Sequence, residues 1–360
     1  MCKIVCKIMC KIIDFNDLIL YTILKVVGSK NMQDKYVPPY EITEEMLELV
    51  SQIMEKLGSL NNVNKLEKLP RLRRVSRIKS IHSSLAIENN TLSVEQVTDV
   101  IDGKKVVGPK EDILAVQNAN LSYKELENIN PYKIEDLLKV HGIMMKDLVS
   151  EAGKIRTGQV GVYNELGKVV HLAPPAEFVL EQLESLFDWL NTSSVNMLIK
   201  SSIFHYEFEF IHPFRDGNGR TGRLWQTALL ASWKPIFAWI PIESIIKDNQ
   251  EKYYKAITLS TSQGKSNIFI MFMLQVINGA IDDIINDTKL YYNHVSAQVS
   301  ALLKVIENYP QSATELMKKL NLKSRNGFRN SYLNPAIKMG LVGLTEPNKP
   351  TSKNQMYFKK

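Results

Sequence analysis

A short run of glycines, arginines, one carboxylate and one histidine constrains this chain more than any other feature. The run extends from His212 to Arg223 and reads HPFRDGNGRTGR. Gly217 and Gly219 permit backbone conformations that a Cβ atom would forbid, so main-chain N–H groups can turn toward an anion. The residues that follow are apolar at helical spacing, so the glycine loop is predicted to open a helix. The N-terminus of a helix favours phosphate through its unpaired N–H groups and its dipole.

The charged side chains of this run fit the same use. Arg220 and Arg223 are three apart and share one helix face, where they can clamp successive phosphates. Asp216 is a hard oxygen ligand suited to Mg²⁺, which usually binds one or two carboxylates plus substrate phosphates. His212 stands just before the loop, where its imidazole can take a proton from an attacking hydroxyl. Each residue alone would be interpreted as structural or solvated, whereas the whole run favours a nucleotide site.

The same run resembles the signature of the Fic family, H-x-F-x-[D/E]-G-N-G-R-x-x-R, and matches it at every specified position. A weaker resemblance extends over roughly residues 41–286. Most characterised Fic proteins are mainly helical enzymes that transfer AMP from ATP to a hydroxyl of a target protein and release pyrophosphate. The resemblance therefore implies ATP and Mg²⁺ as ligands and a protein with an acceptor hydroxyl as partner.

The resemblance also implies a role for each motif residue. His212 is then the general base, and Asp216 holds the metal ion. The loop backbone cradles the phosphates with help from Asn218, and the two arginines bind the distal phosphates. The implied nucleotide-binding residues are Gly217, Asn218, Gly219, Arg220, Thr221, Gly222 and Arg223. Doc-type kinases of the superfamily carry lysine where this chain has Gly219, so glycine here favours nucleotidyl over phosphoryl transfer.

A second string lies far upstream and reads SLAIEN from Ser84 to Asn89. It follows apolar residues at helical spacing, and Ser84 and Glu88 are four apart, so they share a helix face. Asn89 is a suitable helix stop because asparagine tolerates the left-handed C-cap conformation. From the residues alone, this is an amphipathic helix that ends in a solvated glutamate.

The upstream string also resembles the Fic inhibitory motif, [S/T]-x-x-x-E-[G/N]. In Fic proteins with this motif N-terminal to the core, its glutamate pairs with the second motif arginine, here Arg223. The resemblance implies that Ser84, Glu88 and Asn89 belong to an inhibitory helix. The pair then occupies the position that Arg223 and the γ-phosphate of ATP would share, so ATP binds weakly or in a pose unfit for attack.

Between the two strings, residues 161–172 are predicted to form a β-hairpin. Two β-prone runs flank a short glycine-containing turn, and a pair of prolines then leads into a helix. A hairpin in a helical chain can be a mere connection. In Fic proteins the matching element is a flap whose edge aligns the target by strand addition. The resemblance therefore implies that a target segment lies along Val169, Val170 and His171.

Tyr253 and Tyr254 form a pair on a predicted helix, which is typical of core packing. In Fic proteins a tyrosine at this place lines the nucleobase pocket, and Tyr253 matches it best. The aromatic residues that precede His212 are interpreted as core that positions this histidine.

The first 31 residues differ in composition from the rest of the chain. Charged residues interrupt their one apolar run, so they predict neither a membrane span nor a signal peptide. Because Met32 is an alternative natural start, we interpret residues 1–31 as an appended segment. All three cysteines lie there, without evident further metal ligands. The cysteine-free remainder fits a reducing compartment, so we expect a cytoplasmic protein with no membrane partner.

The tail from Tyr291 is strongly basic. It carries eleven Lys and Arg against three Asp and Glu, a balance of +8, whereas the whole chain carries +7. Three helical patterns followed by two short strands are typical of a winged-helix domain. Residues 323–329 would begin its recognition helix and could meet DNA phosphates. The alternative is a solvated basic face on a protein-interaction module.

The sequence thus predicts a mainly α protein: a Fic-type helical bundle with a β-hairpin flap and a C-terminal winged-helix (α+β) domain. Its 360 residues divide into the appended segment, an N-terminal helical region with the inhibitory helix (32–110), the Fic core (111–286) and the winged helix (291–360). The predicted activity is autoinhibited AMP transfer from ATP to a Ser, Thr or Tyr hydroxyl of a target protein and of the chain itself. Two alternatives are a hydrolase that removes AMP, with Glu88 orienting a water, and a DNA-binding regulator whose core senses nucleotide. The target and a possible homo-oligomer are left open.

Overall fold

A computed structural model describes residues 35–63, 70–163, 169–293, 296–339, 341–347, 349–350 and 352–359. The predicted appended segment, with the three cysteines and Met32, lies outside the described residues. Helices dominate the described chain, as predicted. They are α1 (Glu44–Val63), α2 (Pro70–Ile87), α3 (Val94–Ile101), α4 (Lys110–Lys124), α5 (Ile134–Met144), α6 (Ala176–Thr192), α7 (Met197–Ile211), α8 (Asn218–Trp233), α9 (Ile242–Asp248), α10 (Gln250–Gln263), α11 (Asn267–Asn293), α12 (Ala297–Val305), α13 (Ala313–Lys319), α14 (Arg325–Phe328) and α15 (Asn334–Lys338).

Helix α7 lies at the centre of the bundle and is buried along its whole length after the first residue. A helix that is apolar on every side must be covered on every side. It packs against α6, α8 and α11, and its aromatic side chains fill the space between them. The predicted interpretation of these aromatics as core is confirmed. Their packing fixes the helix end from which His212 projects.

One helix of the described chain, over Asn267–Thr288, is long and apolar enough to cross a membrane by length and composition alone. Half of that segment is buried inside the protein, where Phe269, Met273 and Ile277 belong to the core. The core helix of a soluble protein meets the same criteria, so core packing accounts for its composition. The expected cytoplasmic location and the absence of a membrane partner stay predictions.

A buried polar cluster fastens α2 to three other helices. The carboxylate of Glu243 on α9 accepts hydrogen bonds from Ser80 Oγ of α2 (2.8 Å), from the Tyr123 hydroxyl of α4 (2.6 Å) and from Thr227 Oγ1 of α8 (3.3 Å). Burial of a carboxylate lowers the stability of the folded state unless the carboxylate is hydrogen-bonded, so loss of these contacts would destabilise the fold. They set the position of α2 relative to α8.

The predicted stop of α2 is confirmed. The helix ends at Ile87, and Asn89 adopts a left-handed conformation with φ 64°. The Asn90 N–H then reaches back to the Leu85 carbonyl at 3.1 Å. This bond closes the helix end. Glu88, the first residue after the helix, lies within the turn that this bond closes.

The predicted hairpin is present as two antiparallel strands, β1 (Gly161–Tyr163) and β2 (Val169–Leu172). Gly161 pairs with Leu172 and Val162 with His171, and the register shifts before Tyr163. The turn at 164–168 and the side chains of both strands lie outside the described residues. The role of Val169, Val170 and His171 in target binding therefore stays a prediction.

The C-terminal part contains a small antiparallel sheet in the order β3 (Gln311–Ser312), β5 (Met356–Lys359), β4 (Val342–Leu344). Strand β3 was not predicted because two residues carry no readable alternation. The third helical pattern of this tail, predicted over 324–339 with an interruption at Pro335, is interrupted earlier, because a π-helical stretch covers Arg329–Leu333. Proline lacks the N–H that would bond four residues back, inside that stretch. The winged-helix assignment and the domain boundaries stay predictions.

Candidate active site

His212 ends helix α7 in a left-handed conformation with φ 51°, and its N–H donates to the Phe208 carbonyl at 2.9 Å. Five residues later Gly217, with φ 84°, caps the start of α8. A Cβ atom on Gly217 would collide with the side chain of Met145. The loop thus turns from one helix end to the next helix start, as its glycine predicted, and keeps the histidine beside the α8 N-terminus.

The amides available to an anion are those of Asn218, Gly219 and Arg220. The first bond within the helix is donated by the Thr221 N–H to the Gly217 carbonyl at 3.0 Å, so the three preceding amides have no partner four residues back. Three adjacent N–H groups at the positive end of a helix form a site suited to phosphate.

Binding of nucleotide by Thr221 and Gly222, which the resemblance implies, stays a prediction. The Thr221 side chain is fully buried and its N–H is used by the helix. A Cβ atom on Gly222 would lie 2.7 Å from Glu209 Oε1 and 3.0 Å from the Phe208 ring. The lack of a side chain at Gly222 thus lets α8 pack closely on α7, whereas Thr221 contributes a buried side chain.

The side chain of Asn218 also has a use other than the one expected. It is buried, its Oδ1 accepts from the Phe214 N–H at 2.9 Å, and its Nδ2 donates to the Phe214 carbonyl at 2.7 Å. With both polar atoms engaged, the side chain braces the loop. The Asn218 main-chain amide is available to a phosphate, and help from its side chain stays a prediction.

The ring of His212 is arranged to act through Nε2. Its Nδ1 lies 3.3 Å from the Glu209 carbonyl oxygen, which can only accept, so Nδ1 carries the proton and Nε2 holds the lone pair. Burial lowers the pKa of His212, and the nearby Glu209 carboxylate opposes but does not reverse this effect. The imidazole is therefore neutral at pH 7, as a general base requires.

Glu209 is a buried carboxylate that sequence analysis missed. Its Oε2 is 4.0 Å from His212 Nδ1, and its Oε1 is 3.7 Å from His205 Nε2. Burial raises the pKa of Glu209, but His205, His212 and Arg223 more than offset this, so the pKa is lowered. A carboxylate here can stabilise the imidazolium that forms when His212 takes a proton. The available signal was an acidic residue inside an otherwise aromatic run.

His141 is a second residue that sequence analysis missed. The Gly153 N–H donates to its Nδ1 at 2.8 Å, so its Nε2 carries the proton and donates to the Asp216 carbonyl at 2.9 Å. Its ring stacks on Phe214, with centroids 3.6 Å apart. Burial lowers the pKa of His141 to about 4. The neutral ring holds the loop from a helix 75 residues upstream.

The His141 contacts predict a specific acid sensitivity. The group has a pKa of 6.5 when exposed and about 4 when folded, so the folded state binds fewer protons between these values and stability falls as pH falls. We expect His141 to contribute a loss on the order of 3 kcal/mol in the free energy of unfolding between pH 7 and pH 4. Chemical denaturation of the wild type and of His141→Gln at several pH values measures this. The free energy of unfolding of His141→Gln should be lower than that of the wild type at pH 7 and should change less with pH. The same pH dependence in both proteins would contradict the role of His141.

Arg223 is held by the two upstream residues that the sequence predicted. Its Nε donates to Ser84 Oγ at 3.1 Å, and its Nη2 donates to the Ser84 carbonyl and to Glu88 Oε1, both at 2.8 Å. The Arg223 side chain is 1% exposed and that of Glu88 is 32% exposed. Burial alone would lower the pKa of Arg223, but Glu88 raises it, so the guanidinium is firmly charged. The predicted pair is present across 135 residues of sequence.

Gly219 lets the Glu88 carboxylate approach the α8 N-terminus. A Cβ atom at this position would overlap Glu88 Oε1 and lie 2.9 Å from Arg223 Nη1. The acidic group thus lies close to Gly219, in the first turn of α8. An anion and this carboxylate would compete for the same positive helix end.

Asp216 has the geometry expected of a one-carboxylate metal ligand. Its side chain is 56% exposed, and its Oδ1 accepts from the Gly217 N–H at 2.6 Å and from Arg220 Nη2 at 3.2 Å. Its other oxygen has no hydrogen-bond partner within the described chain. No cluster of three or more metal-ligating side chains occurs among the described residues, so any Mg²⁺ would need substrate phosphates as further ligands. The residues present fit that arrangement.

The predicted base-pocket tyrosine, Tyr253, is buried, and its hydroxyl lies 3.0 Å from His205 Nε2. Its neighbour Tyr254 is only half-buried. Burial and, to a lesser extent, the Glu88 carboxylate raise the pKa of Tyr254 to about 12. Contact of Tyr253 with a nucleobase stays a prediction.

Comparison with known proteins places this site among described families. Residues 131–230 match the Fic/DOC family, and residues 297–358 match the family described as "Filamentation induced by cAMP protein Fic-like, C-terminal domain". A curated relative, "Protein adenylyltransferase fic-1" of Caenorhabditis briggsae, is 33% identical over 194 residues. That match covers 49% of this chain but only 35% of the relative, so the chain spans about a third of its length.

Solved structures extend the likeness to nearly the whole chain. A Fic family protein from Desulfovibrio desulfuricans G20 is 43% identical, covers 90% of this chain and 98% of its own, and superposes with a TM-score of 0.70. A fragment of Fic-1 from C. elegans, 23% identical, covers 68% of this chain and 73% of its own with a TM-score of 0.58, which shows a shared fold.

Proposed function

The chain belongs to the Fic family, and on that premise we propose that it is a protein adenylyltransferase held inactive by its own α2 helix. It would transfer AMP from ATP to a hydroxyl of a target protein and of itself. The observation that carries the proposal is the position of His212 beside three free α8 amides, with Arg223 already occupied by Glu88. The proposed base, the anion site and an arginine that is already paired with Glu88 therefore all lie within residues 212–223.

The proposed chemistry is an in-line displacement at the α-phosphorus. The target hydroxyl gives its proton to His212 Nε2, and its oxygen forms a bond to the α-phosphorus. The bond from that phosphorus to the β-phosphate oxygen breaks, and pyrophosphate leaves. The amides of Asn218, Gly219 and Arg220 stabilise the phosphate charge, as preorganised donors do in other phosphoryl and nucleotidyl transfers.

The metal ion required by this chemistry would be held by Asp216 together with phosphate oxygens. When bound, Mg²⁺ supplies positive charge to the departing pyrophosphate. Arg220, whose Nη2 already lies 3.2 Å from Asp216 Oδ1, lies where it can contact the same phosphates. Its hydrogen bond to the carboxylate keeps both groups at the mouth of the site.

The proposed restraint acts on Arg223. While Ser84 and Glu88 hold its guanidinium, it cannot bind the γ-phosphate, and ATP lacks the contact that would orient its α-phosphate. Release of α2, or loss of the Glu88 carboxylate, would free Arg223. The proposal therefore predicts that AMP transfer by the wild-type protein is slow and that a local change in α2 raises its rate.

Isotope position tests the reaction directly. Full-length protein with Glu88→Gly is incubated with ATP labelled at the α- or the γ-phosphorus, and protein-bound label is counted. Adenylyl transfer retains the α label and loses the γ label with pyrophosphate. Label from the γ position would instead indicate phosphoryl transfer, and no label from either would contradict the proposal.

A hydrolytic activity is the second candidate for the same site. One Glu88 oxygen pairs with Arg223, and the other has no hydrogen-bond partner within the described chain, on a side chain that is 32% exposed. Such an oxygen could orient a water toward the phosphorus of an AMP-modified target. In that case Glu88 would be needed for activity rather than restrain it.

The basic C-terminal unit supports a separate proposal of DNA binding. Its cations include Lys323, Arg325, Lys338, Lys349 and Lys353, all of them exposed. We expect full-length protein to bind duplex DNA with an affinity that falls steeply with salt, because each neutralised phosphate adds about 0.9 to the slope of log affinity against log salt. Fluorescence anisotropy across a salt series measures this slope.

The matched test substitutes two of these cations. Lys323→Ala with Arg325→Ala should reduce the slope by roughly 1.8, whereas Lys105→Ala with Lys124→Ala, two exposed cations outside the C-terminal unit, should not change it. A flat slope for the wild type would favour a protein-interaction module instead.

A further inference from the structure

Arg156 is a buried arginine, and within the described part of the chain its side-chain hydrogen bonds all go to backbone carbonyls. It is 3% exposed. Its Nε donates to the His212 carbonyl at 2.8 Å, and its Nη2 donates to the Ile211 carbonyl at 3.3 Å. These oxygens belong to the last turn of α7, which lacks partners within the helix and favours a cation. The guanidinium thus closes the helix end on which the proposed base stands.

The same guanidinium holds both ends of the hairpin. Its Nη1 donates to the Gly158 carbonyl at 2.9 Å, three residues before β1 begins. Its Nη2 donates to the Pro174 carbonyl at 2.6 Å, two residues after β2 ends. In addition, the Arg156 main-chain N–H donates to the Pro213 carbonyl at 2.9 Å. One residue therefore joins both roots of the hairpin to the residue that acts as base and to the residue after it.

This arrangement is not explained by charge pairing. Within the described chain no carboxylate forms an ion pair with Arg156. A buried guanidinium is retained at a cost unless its N–H groups are satisfied, and here they are satisfied by carbonyls of three separate segments. His212 also has a left-handed backbone, which persists only where surrounding contacts impose it. The bonds from Arg156 are such contacts.

We propose that Arg156 is a positioning residue that fixes the distance between the His212 base and the β1–β2 hairpin on which a target segment would lie. The inference rests on the proposed transfer, since it concerns the alignment of acceptor and base in that reaction. Arg156 does not contact the three α8 amides. Its loss should therefore affect the chemical step and leave nucleotide binding unchanged.

The test uses full-length protein in the Glu88→Gly background, with Arg156→Lys and Arg156→Gln as variants. Arg77→Lys is the matched control, because Arg77 also donates to a backbone carbonyl, but to that of Tyr123 on α4 and not to one next to His212 or the hairpin. We expect kcat of self-transfer to fall by at least about tenfold in both Arg156 variants, since small misplacements of reacting groups cost that much or more. KM for ATP should stay unchanged. Amide hydrogen exchange at 161–163, 169–172 and 212–217 should become faster only in the Arg156 variants.

The exchange measurement separates this inference from the proposed function. If the Glu88→Gly reference shows no transfer, the proposed function fails, yet faster exchange in the hairpin and the 212–217 loop still supports the coupling. If the reference is active, unchanged kcat or unchanged exchange in the Arg156 variants overturns the inference. Equal loss of nucleotide binding, or unfolding of both variants where Arg77→Lys is folded, would also overturn it, because the role would then be general stability.

Discussion

Replacing His212 with alanine should lower AMP transfer by about 10²–10⁴-fold while ATP binding stays largely intact. The reason is geometric. The phosphates are expected at the first amides of α8, whereas the His212 ring has its Nδ1 turned to the Glu209 carbonyl and its Nε2 left for the acceptor hydroxyl. The imidazole thus acts on the proton of the acceptor and not on the nucleotide.

The measurement compares two proteins that both carry Glu88→Gly, one with His212 and one with His212→Ala, because transfer is expected to be measurable with that substitution. Protein-bound α label gives the rate, and calorimetry gives ATP affinity. His82→Ala in the same background controls for the loss of an imidazole, because His82 lies on α2 and Glu88→Gly has already removed the restraint that this helix exerts. Undiminished labelling would remove His212 as base, and lost ATP affinity would point to a structural role.

Much of this site could be predicted because its determinants are local in sequence. The glycine of the loop, the apolar spacing of α8 and the asparagine after α2 each follow from conformational rules that act within a few residues. The structure accordingly has Gly217 and Asn89 with positive φ. The pairing of Glu88 with Arg223 is different: only the family resemblance predicted it, since no local rule connects residues 135 apart.

Two of the residues that were missed act through backbone carbonyls of distant segments. Arg156 and His141 reach the loop from 56 and 75 residues away, and no periodicity marks an arginine or histidine that will meet a carbonyl. The same limit explains Asn218 and Thr221. Their residue types suit phosphate binding, but packing of α8 on α7 decides which atoms face the site, and that is a property of the folded chain.

The second large effect is expected from Glu88→Gly, which should raise self-AMPylation by at least about tenfold. A charge-assisted hydrogen bond in a partly buried site biases an equilibrium by roughly 1.5–3 kcal/mol. At about 1.4 kcal/mol per tenfold, this corresponds to roughly 10- to 150-fold in the population with a free Arg223. The Glu88–Arg223 distance of 2.8 Å and the burial of the arginine make this estimate applicable.

Variants of the partner define what the activation means. Arg223→Ala removes the restraint and the phosphate ligand together, so it should not activate, and the double variant should resemble it. Glu88→Gln keeps the size of the side chain but not its charge, so activation there attributes the restraint to the carboxylate rather than to helix packing. If Glu88→Gly is no more active than the wild type and an AMP-modified target is no longer cleaved, Glu88 is needed to orient a water. That result would make AMP removal, rather than AMP transfer, the reaction of this site.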